Sequence, residues 1–319
     1  MFKKNQIAIF LLILITLIEP ANALDLRVQP RFKTGIQFYE FEQPAFQLSA
    51  QDIEGKFPDM QSSVKFSDWL PFVSGGATVF IDRFFVDFDA QYLFNGQANS
   101  DFSSQSFVEG GDRLPIDAVI SQNSVLNADF NRFEWAVSAG FEVIDNLVIF
   151  GGYKYAKINS TSGIQGEITS FQPSDINRTP ISLLTGRPIG EVGLDFEYKG
   201  PFVGMNYSWR IQQGFLDGGL SFNFAAAFLD SKTRIDTSKL SVKSITGAVV
   251  PLNIGNSHFK ELKGDSTGFS FGLGWQGLTS IEGLTYLMGV TGYHYQFEGN
   301  ATVENRVRID FGLAYAIDF

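Results

Sequence analysis

Residues suited to acid–base chemistry are few in this 319-residue chain, which has two histidines, His258 and His294, and no cysteine. The tripeptide Asp87-Phe88-Asp89 is the first arrangement of interest. Alternate side chains of an extended strand share a face, so its two carboxylates would point the same way. Neither histidine follows an Asp-x sequence: His258 follows Asn256-Ser257 and His294 follows Gly292-Tyr293. Asn256-Ser257-His258 has residue types of a serine hydrolase. Neighbours in an extended chain point to opposite faces, so these three cannot form a triad by themselves. The histidines are too far apart in sequence to suggest a local metal site, and there is no glycine-rich phosphate loop. These residues assign no catalytic group, metal or cofactor.

The element with the clearest pattern is the last stretch, Val303 to Phe319. Every second residue is apolar: Val307, Ile309, Phe311, Leu313, Tyr315, Ile317 and Phe319. Between them stand Arg306, Arg308, Asp310, Gly312, Ala314, Ala316 and Asp318. One apolar face backed by a small and charged one, over about ten residues, suits a strand with lipid on one side. A final strand of this kind closing on Phe resembles the C-terminal signal of Gram-negative outer-membrane β-barrels. The resemblance implies that Phe311, Leu313, Tyr315, Ile317 and Phe319 are read by the barrel-assembly machinery during biogenesis. It also implies outer-membrane lipid and lipopolysaccharide as surroundings. Asp87-Phe88-Asp89 in turn resembles the paired aspartates of the omptin proteases, which are also ten-stranded. That family's site lies at the extracellular rim and needs an Asp-x-His partner. Here the partner is absent, and the aspartates stand a few residues above a periplasmic turn.

Lys3 and Lys4 precede an apolar run, Ile7 to Ile18, and then Pro20 and Ala21-Asn22-Ala23. This is the pattern of a signal peptide cleaved after Ala23, leaving residues 24–319 as one barrel domain. The run is short of the roughly twenty residues a spanning helix needs. A hydrophobic content of 44%, with 33 Phe and 32 Gly, fits many strands joined by turns. The net charge of −10 argues against nucleic acid as a partner.

The expected fold is all-β: an antiparallel up-and-down transmembrane barrel of about ten strands, with long extracellular loops alternating strictly with short periplasmic turns. Leu26, Val28, Phe32, Ile36 and Phe38 face out of the first strand, opposite a basic inner face. Trp69 to Ile81 and Phe84 to Phe94 are joined by Asp82-Arg83, and a further short turn lies at Ile144-Asp145-Asn146. Long loops are expected up to about Phe66 and over Asn95 to Asn131, Lys157 to Gly190 and Asp230 to Gly264. The sixth strand changes parity, from Val192, Leu194, Phe196 and Tyr198 to Val203, Met205, Tyr207, Trp209 and Ile211. A bulge at Gly200-Pro201 would keep both sets in lipid. The ninth strand shifts in the same way, from Tyr286, Met288 and Val290 to Tyr293, Tyr295 and Phe297. The alternatives are an eight-stranded barrel, a twelve-stranded one with Leu240 to Ile254 as an added hairpin, and a soluble sandwich.

The inner face carries charge. Arg31 and Lys33 stand at about the height of Asp87 and Asp89, with only Gly76 and Thr78 of the second strand between them. Long basic side chains can cross two strand spacings, about 9.6 Å. Asp310 lies near Lys33 across the closing seam, so one expectation is a crossing network of these five residues that narrows the lower lumen. The other is five separately hydrated charges in a wide lumen. Ten glycines fall at inward positions: Gly35, Gly76, Gly140, Gly152, Gly204, Gly219, Gly268, Gly272, Gly274 and Gly312. The room they leave suggests a narrow channel or small-solute binding barrel. A barrel with a blocked lumen and partner-binding loops is the alternative, and a hydrolase a remote one. The loop carrying Lys232, Arg234, Lys239, Lys243, Lys260 and Lys263 would suit lipopolysaccharide phosphates.

Overall fold

The computed structural model describes residues 26–45, 62–108, 117–163, 167–171, 186–189, 191–212, 217–236, 241–244, 249–251, 262–298 and 302–319. The expected signal peptide and His258 lie outside these residues.

Ten strands close on one another. They are β1 (Leu26–Ala45), β2 (Ser62–Ile81), β3 (Phe84–Val108), β4 (Asp117–Ile144), β5 (Leu147–Gly163), β8 (Glu191–Ile211), β9 (Gly218–Asp236), β12 (Leu262–Leu278), β13 (Leu284–Phe297) and β14 (Thr302–Tyr315). Each pairs antiparallel with the next, and β14 pairs with β1 to shut the ring. One rung traces the closure. From Arg27 it passes through Phe80, Phe85, Gly140, Phe150, Gly204, Ala225, Ser270, Tyr293 and Arg306, and regains β1 at Tyr39, twelve residues further on. Such a shear requires the strands to tilt, by roughly 35–45° in barrels of this kind.

Outside, the alternation forms an apolar belt. Phe32, Phe88, Phe141, Ile149, Val203, Phe271, Leu273, Phe311 and Leu313 are all exposed. In water such a surface would aggregate; in a bilayer it is the expected lining, and ring closure satisfies the backbone groups it carries. Tyr207, Trp209 and Tyr315 stand at one edge of the belt and Trp69, Tyr92 and Phe94 at the other. At the end with short turns, Asp82 (φ 53°) and Asn146 (φ 71°) hold left-handed backbone, and the Glu142 carboxylate accepts the Asn146 amide at 2.8 Å. The last two-residue strand, β15 (Ile317–Asp318), pairs with β1, and the Phe319 amide donates to the Leu26 carbonyl at 3.0 Å.

Several expectations are corrected at the opposite end. Residues expected as loop extend the ladder: β3 runs on to Val108, and β4 starts at Asp117. Beyond the belt a strand needs no apolar face, because water meets both sides, so the missing alternation did not mean missing strands. The short strands β6 (Glu167–Phe171), β7 (Gly186–Ile189), β10 (Ser241–Ser244) and β11 (Val249–Pro251) continue the sheet sideways from β4. The hairpin expected only in a twelve-stranded barrel thus exists as β10–β11, outside the ring. The alternation of connections also fails once, since residues 298–301 alone join β13 to β14.

The parity change on β8 is not a bulge. Its register with β5 is continuous through Tyr153↔Pro201, and its ladder with β9 resumes in the same register after skipping Gly200 and Pro201. Phe196 and Tyr198 therefore point inward and are fully buried, as are Tyr295 and Phe297 on β13. Apolar residues changed sides because the upper lumen has its own core.

Candidate functional site

The lumen is filled in three tiers, described from the short-turn end. In the first, the Arg31 guanidinium reaches past β2 and grips Asp87 with both Nη atoms, at 2.6 and 2.9 Å, and Asp89 at 3.1 Å. Thr78 donates to the same Asp87 oxygen at 2.5 Å. Gly76 lies under this crossing: a Cβ there would overlap the Phe88 carbonyl oxygen and stand 3.0 Å from both Arg31 Nη2 and Asp89 Oδ2. Lys33 and Asp310 form a separate pair at 3.3 Å, with Arg308 on the other Asp310 oxygen at 3.1 Å. The five residues of the anticipated cluster thus lie in two groups, Arg31–Asp87–Asp89 and Lys33–Asp310–Arg308, of which Arg308 was not singled out from sequence.

A cavity of about 500 Å³ lies against both groups. Phe85, Phe150 and Phe202 wall one side, and the amides of Asn206 and Asn223 stand across the ring from Arg31. The inward glycines explain the aromatic wall. Along the rung described above, Gly140 lies between Phe85 and Phe150, and Gly204 follows Phe150. A Cβ at Gly140 would come within 2.6 Å of the Phe85 ring, and one at Gly204 within 2.5 Å of the Phe150 ring. These glycines seat neighbouring rings flat on the wall rather than widening the lumen. Only nearer the short turns is there open space, at Gly219, where an added Cβ would meet no atom within 4 Å.

The second tier crosses the barrel. Glu134 on β4 accepts from Arg132 and, at 2.9 Å, from Arg306 on β14, and pairs with Lys154 on β5 at 3.3 Å. Glu304 pairs with Arg306 at 2.9 Å and Arg132 at 3.5 Å. Tyr198 accepts from Arg132 at 2.6 Å, and Tyr295 accepts from Lys154 at 2.8 Å. The Arg306 guanidinium also lies 4.1 Å over the Tyr293 ring. Arg132 and Arg306 are 1% exposed and Glu304 not at all, so the pairs replace water in a volume that excludes it. Of these five charges only Arg306 was named from sequence, as an inner-face residue of the last strand, and none was placed in a cluster. On β4 Phe133 and Trp135 alternate with Arg132 and Glu134, so outward apolar residues place both charges inside, and the same holds for Arg306 beside Val307.

The third tier is aromatic. Tyr39 meets Phe130 at 4.7 Å between centroids, Phe196 meets Phe297 at 5.0 Å, and Phe41 meets Phe196 at 5.3 Å. Strands β1 and β8, which carry the last pair, are opposite each other in the ring.

The histidine that is described takes no part in this. His294 bonds Asn305 at 2.7 Å and packs on Phe269, a residue of the outer face. The barrel wall separates it from Asp87 and Asp89.

No family model and no curated protein matches the chain by sequence. Solved structures match it by shape. The outer membrane protease OmpT from Escherichia coli superposes with a TM-score of 0.59 at 10% identity, covering 93% of this chain and 99% of that one. This fold is that of the Gram-negative outer-membrane barrels. Weaker matches are Ail of Yersinia pestis, solved with a heparin analogue (TM-score 0.30, 8% identity, 91% and 99% coverage), and the translocator domain of the Neisseria meningitidis autotransporter NalP (0.32, 10%, 98% and 95%).

Proposed function

We propose that the protein is an integral outer-membrane barrel with a closed lumen, and that its work is done at its surfaces rather than by conduction. The short turns then lie in the periplasm, and the extended β3–β4 hairpin with the lateral strands stands outside the cell. The observation that carries this reading is the Phe41–Phe196 contact between opposite strands. The ion-pair tier beneath it spans the same cross-section.

A charged row supports contact with lipopolysaccharide at the outer rim. Lys157 pairs in register with Glu197, Glu197 with Lys232 and Lys232 with Lys263, just beyond the last belt residue of β9, Phe228. Three lysines against one glutamate give the row a positive balance that attracts phosphate. The barrel-assembly machinery is the partner proposed for biogenesis, through Phe311 to Phe319.

Liposome swelling tests the closed lumen. Vesicles carrying the refolded protein should shrink and stay shrunken in arabinose, as empty vesicles do, while a general porin control recovers. Recovery at the porin's rate would overturn the proposal.

A further inference from the structure

We infer that the cavity under the ion-pair tier is a binding site, open on the periplasmic side, for a small organic monoanion with an apolar or aromatic body. Its volume of about 500 Å³ is within the usual range for small-ligand sites, roughly 300–1,000 Å³. Two features set the class of ligand.

The first is charge. The cavity is lined by four cations, Arg31, Lys33, Lys154 and Arg308, against three carboxylates, Asp87, Asp89 and Glu134, and at its roof Lys33, Lys154 and Arg308 face Glu134, with Asp310 behind Lys33 and Arg308. In the tier above, Arg132 Nε and Arg306 Nη2 have no hydrogen-bond or ion-pair partner, against one such carboxylate oxygen, Glu304 Oε2. Lys154 and Arg308 bring this excess to the cavity surface. Lower down the balance reverses, with Arg31 alone between Asp87 and Asp89. An anionic head is therefore drawn toward the roof and a cation repelled from it, in a setting where little water screens either.

The second is the wall. Phe85, Phe150, Phe202 and Ala225 offer an apolar surface below the roof, and nearer the short turns a Cβ at Gly219 would meet no atom within 4 Å. A fully polar solute would leave those rings unmatched. This reading does not depend on the closed lumen, since a conducting barrel would carry the same cavity.

The test uses the full-length barrel refolded in neutral detergent and titrated calorimetrically with 2-naphthoate. The comparators are 2-naphthylmethanol and 2-naphthylmethylammonium, which have the same body with neutral and positive heads. Ala225→Trp and Asn206→Trp each fill the cavity, and whichever refolds to the heat-modifiable form gives the micelle-partition baseline. The wild type should bind naphthoate saturably, one per barrel and at least tenfold tighter than the alcohol, with no saturable heat from the filled variant. Arg308→Gln, which leaves Asp310 paired with Lys33, should weaken naphthoate binding several-fold and leave the alcohol unchanged. Equal affinity for alcohol and naphthoate, tighter binding of the ammonium, or a naphthoate signal that persists in the filled variant would each overturn the inference. Membrane conductance by a protein that still binds naphthoate would overturn only the closed lumen.

Discussion

Phe41 and Phe196 are held by strands on opposite sides of a ten-membered ring, yet their ring centroids are 5.3 Å apart. Both are fully buried. Truncating either to alanine should cost about 3–5 kcal/mol. The double variant should show a coupling of about 0.5–1.5 kcal/mol, the excess found for aromatic pairs in contact. Denaturant unfolding of the four proteins in micelles measures both. Strict additivity would mean that the rings do not touch in solution.

Glu134 holds three cations, and its loss should matter more than that of any carboxylate near a turn. Glu134→Gln leaves Arg132, Arg306 and Lys154 to share Glu304, and breaking a buried pair this way costs about 3–5 kcal/mol. Glu142→Ala at the exposed Asn146 turn gives up one hydrogen bond, a loss of about 0.5–1.5 kcal/mol. Unfolding midpoints should follow that order, and equal midpoints would show the second tier to be hydrated.

The ring alternation and its outward face are legible in the sequence because lipid imposes one rule on every strand. Phe84, Val86 and Phe88, or Phe311, Leu313 and Tyr315, obey it without exception. Inside the barrel no single rule holds. Phe196 and Tyr295 satisfy the same pattern of apolar spacing as a lipid-facing residue, and only the uninterrupted register shows that they face inward. The height at which Arg31 meets Asp87 was readable by counting from two hairpin ends. The meeting of Glu134 with Arg306 was not, since it depends on a shear of twelve residues that no local pattern encodes.

Inward glycines should differ in tolerance according to what their Cβ would meet. Gly140→Ala presses on Phe85 and Phe150, at 2.6 and 2.7 Å, and overpacking of this kind costs about 1–3 kcal/mol. Gly219→Ala projects into open space and should change stability by less than about 0.5 kcal/mol. Refolding yield and midpoint of the two variants decide the matter. A neutral Gly140→Ala would refute the ring-on-glycine account of the wall.

The belt makes a depth-dependent prediction. Leu313 is exposed on the outer face, paired across strands with Phe32 and Tyr286, and Leu313→Arg should lose about 2–4 kcal/mol if it lies near the bilayer midplane. Deleting Phe319 also removes the amide that bonds Leu26, and should lower the heat-modifiable fraction in the outer membrane. Wild-type levels of folded deletion variant would count against its role in assembly.

The central claim is that the filled lumen stops ions. Single-channel recording in a planar bilayer tests it most directly, with insertion verified by protease protection and a detergent-only control. The wild-type protein is predicted to give a flat baseline at either polarity. Reproducible conductance steps from the wild type, absent from the detergent control, would contradict it.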